Sequence, residues 1–415
     1  MLQKTIPSSL SFLYTPTTSK CHLLSDQIKL ETSIGPMATV LLFYALLLFV
    51  PPMAMGEIDF NYPAVFNFGD SNSDTGGRVA SGLESISPPY GETFFGHPSG
   101  RFCDGRLIID FLLDAMDLPF SNSYLQSVGA PSFQTGTNFA AAGCSILPAN
   151  PTSVSPFSFG IQIAQFLQFK SQVLQLLGGS IKYRKYIPHA DSFSKGLYMF
   201  DIGQNDLAGA FYSKTEDQII ALIPTILLEF ESGLKKLHDQ GARKFWIHNT
   251  GPLGCITQNI AFFGKDPSKL DGMGCVAAHN RVARLFNLQL HALCTKLRSQ
   301  FSDSNIIYVD IYTIKADLIS NYAKYGFEYP ITTCCGYGGG QLNYDSRVPC
   351  GHTTILDGVG PVTAKGCNDT SEHVNWDGIH YTEAANFHVA SRILTGKYSD
   401  PPFSDKMPFL LKPKY

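Results

Sequence analysis

The chain has 415 residues, 44% of them hydrophobic and 16% charged, with a formal net charge of −3. This balance describes a core-rich globular protein rather than a disordered one, long enough for one large domain or two ordinary ones. No basic block is present, which argues against a nucleic-acid partner.

Residues 1–36 are rich in Ser and Thr and lead into MATVLLFYALLLFVPPMAMG, Met37 to Gly56. The apolar core, Ala38 to Val50, runs about 13 residues, too short for a confident bilayer span. Pro51-Pro52 and the small residues before Glu57 read as the exit of a signal peptide. Met37 stands where such a peptide begins, so residues 1–36 are expected to be an upstream extension and 37–56 the signal. The rival reading is a signal anchor that stays in the membrane. Residues 57–415 are then the mature chain, expected to be secreted and monomeric, with no stable span left after signal removal.

The mature chain alternates strands and helices. The first strand, Ala64–Phe68, stops at Gly69-Asp70-Ser71 within AVFNFGDSNSDTGG. A serine there is exposed at the end of a buried strand, and its N–H opens the next turn. Both features suit a nucleophile beside an oxyanion. The plainer reading is that Asp70, Ser71 or Ser73 caps the following helix. Asp104 is placed to cap a helix carrying Leu107, Phe111, Leu112 and Met116. A second strand is expected at Thr137–Ala141. A helix follows over Ile161–Leu177, with Ile163, Phe166, Leu167, Val173, Leu174 and Leu177 on its apolar face.

The third strand, Gly196–Asp201, runs into MFDIGQNDLAG, where Asn205 offers a side-chain amide as oxyanion donor or merely as a turn residue. Glu216–Gln240 is a long amphipathic helix interrupted by Pro224, Lys244–Asn249 a fourth strand, Ala278–Arg298 a helix and Ile306–Ile311 a fifth strand. Short apolar runs bounded by Gly, Asp or Asn fit buried parallel strands. The alternation predicts one domain built as a three-layer α/β sandwich around a mostly parallel sheet. An irregular insertion at about 326–370 is expected to cover one end of that sheet. Beyond it, VNWDGIHYTEAAN holds Asp377 and His380 three residues apart ahead of a helix. On a tight turn the carboxylate reaches one ring nitrogen while the other faces outward, as a catalytic base requires. A capped turn with a surface histidine is the plainer reading.

Nine cysteines lie beyond the leader, and Cys334, Cys335, Cys350 and Cys367 crowd into the insertion. A loop-like segment poor in apolar residues is naturally held by disulfides. These four are expected to pair among themselves, and Cys255 with Cys275 across one loop. A zinc site is the rival, but their spacing fits no compact knuckle. An odd count leaves at least one thiol unpaired. Asn368-Asp369-Thr370 is the one glycosylation sequon.

Four blocks in order, FGDSNSDTG (Phe68–Gly76), GTNFAAAG (Gly136–Gly143), DIGQND (Asp201–Asp206) and DGIH (Asp377–His380), resemble the signatures of the plant GDSL esterase/lipases of the SGNH hydrolase superfamily. The resemblance extends over Ala64–Ile393 and includes GHPSGRFCDGRLIIDFL (Gly96–Leu113) and GPLGC (Gly251–Cys255). It implies a flavodoxin-like fold and a secreted esterase of the cell wall or apoplast, with the vacuole as a second location. It also implies Ser71 as nucleophile, His380 as base, Asp377 as its partner, and Ser71, Gly143 and Asn205 as oxyanion donors. No cofactor or metal is implied. Two departures stand out. The name-giving leucine is Asn72 here, and Ala141-Ala142-Gly143 replaces Ser-Gly-Gly, so Gly143 could be displaced by one residue. The substrate is a small-molecule or cell-wall ester. Acyl transfer to an alcohol, a non-catalytic carbohydrate- or partner-binding role and a glycosidase activity are the alternatives.

Overall fold

The structure is a computed structural model that describes residues 61–151, 153–179 and 181–403. The expected leader, the start at Met37 and the extension over residues 1–36 lie outside the described residues.

Five short runs form the parallel core of the sheet: β1 (Val65–Gly69), β2 (Gly136–Asn138), β3 (Leu197–Asp201), β4 (Lys244–His248) and β5 (Asn305–Val309). Outside it, β6 (Tyr329–Thr333) pairs in parallel with β9 (His373–Asn375), and β7 (Thr353–Leu356) forms a hairpin with β8 (Gly360–Thr363). A last strand, β10 (Ser399–Asp400), closes one edge antiparallel to β5. The six-stranded order is β10-β5-β4-β3-β1-β2.

Successive residues of a strand face opposite sides, and here both sides are apolar. Phe66, Phe68, Tyr198, Phe200, Phe245 and Ile306 enter one core, and Val65, Leu197, Met199, Trp246 and Ile307 enter the other. Helices of seven residues or more are α1 (Ile108–Ala115), α2 (Phe159–Gly178), α3 (Gln204–Ala210), α4 (Glu216–Asp239), α5 (Thr257–Phe263), α6 (Ala277–Gln300), α7 (Ile311–Ser320) and α8 (Glu383–Ile393). The phenylalanine side packs on α2, α4 and α6, the other on α1, α7 and α8. This is the expected three-layer α/β sandwich. No helix of the described residues is long and apolar enough to cross a membrane.

The predicted elements shift in places. β2 ends at Asn138 rather than Ala141, because the Asn138 side chain accepts the Ala140 N–H at 2.9 Å and bends the chain. Asp104 does not cap α1: the helix starts at Ile108, and Asp110 accepts the Leu107 N–H at 2.9 Å. Asp104 instead accepts from the Glu383 N–H and the Thr93 hydroxyl. In α2, Leu167 and Leu174 turn to solvent, while Phe169 joins the core. The helix at 216–239 continues through Pro224. The insertion is less irregular than expected, since it contains β6, β7 and β8.

Cys255 pairs with Cys275, Cys334 with Cys367 and Cys335 with Cys350. Disulfides thus answer the zinc alternative at that cluster, and Cys103, Cys144 and Cys294 are buried thiols.

β1 ends where a side chain has no room. A Cβ on Gly69 would lie 2.6 Å from the Asp201 carbonyl oxygen and 2.4 Å from Ser73 Oγ. The backbone of β3 cannot yield without breaking the sheet, so Gly69→Ala is expected to destabilise the protein by about 1–3 kcal/mol. Denaturant unfolding checks this, and a wild-type midpoint would refute it.

Candidate active site

The strand order β2-β1-β3-β4-β5 reverses direction between β1 and β3. In open α/β sheets, ligands gather at such a switch point, beyond the carboxyl ends of the strands. The loop after β1 carries Asp70 and Ser71, and that after β3 carries Gly203, Gln204 and Asn205.

Hydrogen bonds to buried carboxylates fix these loops. Asp70 is fully buried. Its Oδ1 accepts the Asn72 N–H at 3.1 Å and Gln204 Nε2 at 3.0 Å, and its Oδ2 accepts Asn205 Nδ2 at 3.2 Å. Asp74, also fully buried, accepts four backbone N–H groups: Gly76 at 2.8 Å, Gly77 at 2.5 Å, Arg78 at 3.0 Å and Ala142 at 2.8 Å. The helix-starting role that the sequence left open among Asp70, Ser71 and Ser73 therefore falls to Asp74, at the short helix Gly77–Ala80. Asp206 accepts the Ile146 and Leu147 N–H groups at 2.7 and 2.9 Å, and burial lifts its carboxyl to about 6.

With Ala142 engaged by Asp74, the neighbouring Gly143 N–H has no protein acceptor among the described residues, and neither has the Ser71 N–H. Gly143 sits at φ +75, a conformation that favours glycine. The amide of Asn205 is already shared between Asp70 and the Cys144 carbonyl, 3.0 Å away, so an incoming oxygen has to compete for it. Asn205 lies in the first turn of α3, whose N-cap is Gly203, so it is not a capping asparagine.

Asp377 and His380 lie on the turn between β9 and α8. The turn is closed by the Trp376 N–H donating to the His380 carbonyl at 2.7 Å. Asp377 Oδ1 accepts the Ile379 and His380 N–H groups at 2.9 and 2.8 Å. Its Oδ2 lies 2.6 Å from His380 Nδ1 and 2.8 Å from the Tyr90 hydroxyl. A carboxylate acceptor there requires a proton on Nδ1, so in the neutral ring the lone pair lies on Nε2. Burial pushes the Asp377 carboxyl up, but the His380 ring and the two N–H donors outweigh it and hold it below its ordinary value. His380 Nε2 is buried without a partner among the described residues.

Ser71, Gly143, Asn205, Asp377 and His380 all line one cavity of about 770 Å³. Ser71 and His380 are not hydrogen-bonded to one another here. Such contacts are often loose before substrate arrives and tighten with it.

Sequence reasoning missed several residues around this cavity. Lys315, 5% exposed, reaches its floor from α7 with its Nζ 4.4 Å from the Tyr381 ring centre. Burial lowers its pKa against the opposing pull of Asp201 and Asp70. Burial and the Asp201 charge push the Asp70 carboxyl well up. For Asp201 burial acts upward too, but His248, Lys315 and Gln204 together hold it down. Gln162 of α2 grips Gly69 from both sides, accepting its N–H at 3.0 Å and donating to its carbonyl at 2.7 Å. Only Asp74 carried a sequence signal: an aspartate two to four residues ahead of small residues that open a helix.

The fold is that of the α/β hydrolytic enzymes that gather polar groups at the ends of a parallel sheet. The chain belongs to the GDSL-like lipase/acylhydrolase family, whose model matches residues 65–393. It is therefore an ester-cleaving hydrolase. A GDSL esterase/lipase of Arabidopsis thaliana is 58% identical over 402 residues, covering 90% of this chain and 98% of the relative. A second from the same plant is 54% identical over 374 residues, covering 89% and 98%. An Arabidopsis thaliana protein named alpha-L-fucosidase 3 is 43% identical over 343 residues, covering 81% and 91%.

Asp74 offers a test of the loop scaffold. Asp74→Ala leaves four buried N–H groups without their acceptor, each worth about 1–3 kcal/mol when unmet. Water entry offsets part of this, so a loss of at least about 3 kcal/mol is expected. A shift of less than about 1 kcal/mol in chemical unfolding would contradict the scaffold role.

Proposed function

We propose that the protein is a secreted serine esterase that hydrolyses carboxylic esters through an acyl-enzyme intermediate. The observation that carries this reading is the convergence of Ser71, Asn205, Gly143 and the Asp377–His380 pair on one cavity. In the proposed route, His380 Nε2 takes the proton as Ser71 Oγ attacks the ester carbonyl. The oxyanion is held by the Ser71 and Gly143 N–H groups and by the Asn205 amide, which turns from its resting acceptors toward the new charge. His380 then passes the proton to the leaving alcohol, and water attacks the acyl-enzyme with His380 again as base. Asp377 holds the imidazole in the tautomer this requires and balances the imidazolium.

Secretion is inferred from the leader over residues 37–56 and from three disulfides in one chain, a pairing that oxidising compartments favour. Asn368 is exposed and is the proposed glycosylation site. Residues 57–415 are read as one hydrolase domain. The fucosidase-named relative raises sugar chemistry as an alternative, which needs two carboxylates across a glycosidic bond. Among the described residues, four carboxylates line the cavity: Asp377 is engaged by His380 and Tyr90, Asp206 by two backbone N–H groups, Asp345 by Arg347, and Glu84 lies 3.6 Å from Arg78. Ester cleavage needs only the Asp377 carboxylate, in its present contact with His380.

The test compares the secreted wild type with Ser71→Ala on p-nitrophenyl acetate, butyrate and palmitate, alongside labelling by a fluorophosphonate probe. Turnover and labelling are expected in the wild type and absent in the variant. A folded wild type that neither turns over nor labels rejects the reading. Asn205→Ala is expected to lower kcat roughly 10²–10³-fold, the usual effect of losing one oxyanion donor, and near-wild-type turnover would remove Asn205 from that role.

A further inference from the structure

We propose that Tyr90 is a positioning residue for the Asp377–His380 pair, acting through the Asp377 carboxylate. The inference rests on the triad reading above. Tyr90 lies 287 positions from Asp377, yet its hydroxyl donates to Asp377 Oδ2 at 2.8 Å, on the same oxygen that His380 Nδ1 meets at 2.6 Å. Two backbone N–H groups occupy Oδ1. A carboxylate offers about four acceptor sites, and Tyr90 fills the last of them.

The phenol is held rigidly enough to do this. Tyr90 is buried, and its ring packs edge-on against Trp376, with centroids 5.9 Å apart, and against Phe102 at 6.3 Å. Its own N–H donates to the Ser87 carbonyl, and the next N–H, of Gly91, to the Cys103 carbonyl. Behind it the disulfide-bonded lobe leaves no slack: a Cβ on Gly351 would lie 2.7 Å from the Pro88 carbonyl oxygen. Phe102, from the same stretch of chain, lies against the His380 ring at 5.4 Å. One segment therefore places a donor on the carboxylate and an apolar ring on the imidazole.

The chemical consequence is directional. Asp377 has to keep Oδ2 in line with Nδ1 while the imidazole gains and loses a proton. Rotation about the Cβ–Cγ bond moves both oxygens together, so the backbone donors on Oδ1 restrain Oδ2 only from the far side of the carboxylate. The Tyr90 donor adds a restraint on that same torsion directly at Oδ2, the oxygen that meets Nδ1. Burial and the Asp377 charge push the phenol well above its ordinary range, so it remains a donor.

Hydrogen bonds to charged groups contribute enough that Tyr90→Phe is expected to lower kcat roughly ten- to a hundredfold. KM should stay within about twofold, because the hydroxyl faces Asp377 and not the substrate. The discriminating measurement is a double-mutant cycle with Asp377→Asn, read as the rate of fluorophosphonate labelling, which remains measurable when turnover is slow. With Asn at 377 the Tyr90→Phe effect should shrink to within about twofold. Tyr90→Phe with wild-type kcat overturns the proposal. So does an equal loss in both backgrounds, which would make Tyr90 a packing residue only. If Tyr90→Phe folds poorly, Tyr90→Met, similar in bulk and without the hydroxyl, is put through the same cycle under the same criteria. An Asp377→Asn enzyme that labels and turns over like the wild type overturns the triad reading instead.

Discussion

An ionised carboxylate removed from water is destabilised by several kcal/mol unless donors replace its hydration. This constraint shapes the whole cavity. Asp70 and Asp74 are fully buried, and the side chain of Asp377 is 6% exposed. Each is met by donors on loops that would otherwise be free to move. Asp70 links the loop after β1 to the start of α3, Asp74 ties the Gly77–Ala80 helix to Ala142, and Asp206 ties α3 to Ile146 and Leu147. The need for donors closes these loops into one body, and the cavity is the space left between them. The Ser71 and Gly143 N–H groups, without acceptors among the described residues, border that space.

The disulfide-bonded lobe belongs to the same logic. Tyr90, Trp376, Cys334, Cys335 and Cys350 form one small buried cluster, separate from the two cores that flank the sheet. After β6, the Cys334 and Cys335 N–H groups donate to the Asn375 and Trp376 carbonyls, directly ahead of Asp377. The lobe has few apolar residues of its own, and disulfides restrict the unfolded alternatives of such a segment. They hold it as a clamp on the strand that delivers the Asp377–His380 turn. Gly378 completes the arrangement. It sits at φ +97, and a Cβ there would lie 2.3 Å from the Tyr344 ring. In the DGIH block, Asp377, Gly378 and His380 thus each have a steric or hydrogen-bonding reason to be what they are, while Ile379 contributes its backbone N–H.

Much of this was legible in the sequence where the determinants are local. The core strands read clearly because a buried parallel strand is apolar on both faces, and a run such as Val65–Phe68 has no other stable use. Asp377 and His380 read clearly because three residues of spacing already place them on one turn. Boundaries slipped where a side chain replaced a backbone partner, as Asn138 does at the end of β2 and Asp110 at the start of α1. Tyr90, Gln162 and Lys315 were not legible at all. Each acts on a partner more than 90 positions away, or on a cavity assembled from several loops, and neither relation leaves a periodic trace. At Gly143, too, a distant contact acts: Asp74 engages the neighbouring Ala142 N–H and not that of the glycine.

The floor of the cavity follows from the same electrostatics. The Asp201 charge disfavours ionisation of Asp70, and two buried negative charges beneath a nucleophile would oppose any oxyanion above it. Lys315 offsets that charge, since it attracts both carboxylates, and His248 Nδ1 lies 3.2 Å from Asp201 Oδ2. Lys315 needs space to reach this position, and Gly251 provides it. A Cβ at 251 would stand 3.0 Å from the lysine Cδ. Gly251 opens the GPLGC block, whose sequence alone carried only a family likeness. Its physical meaning is a missing side chain that admits a cation beneath the site, where the charge of two aspartates would otherwise stand unbalanced.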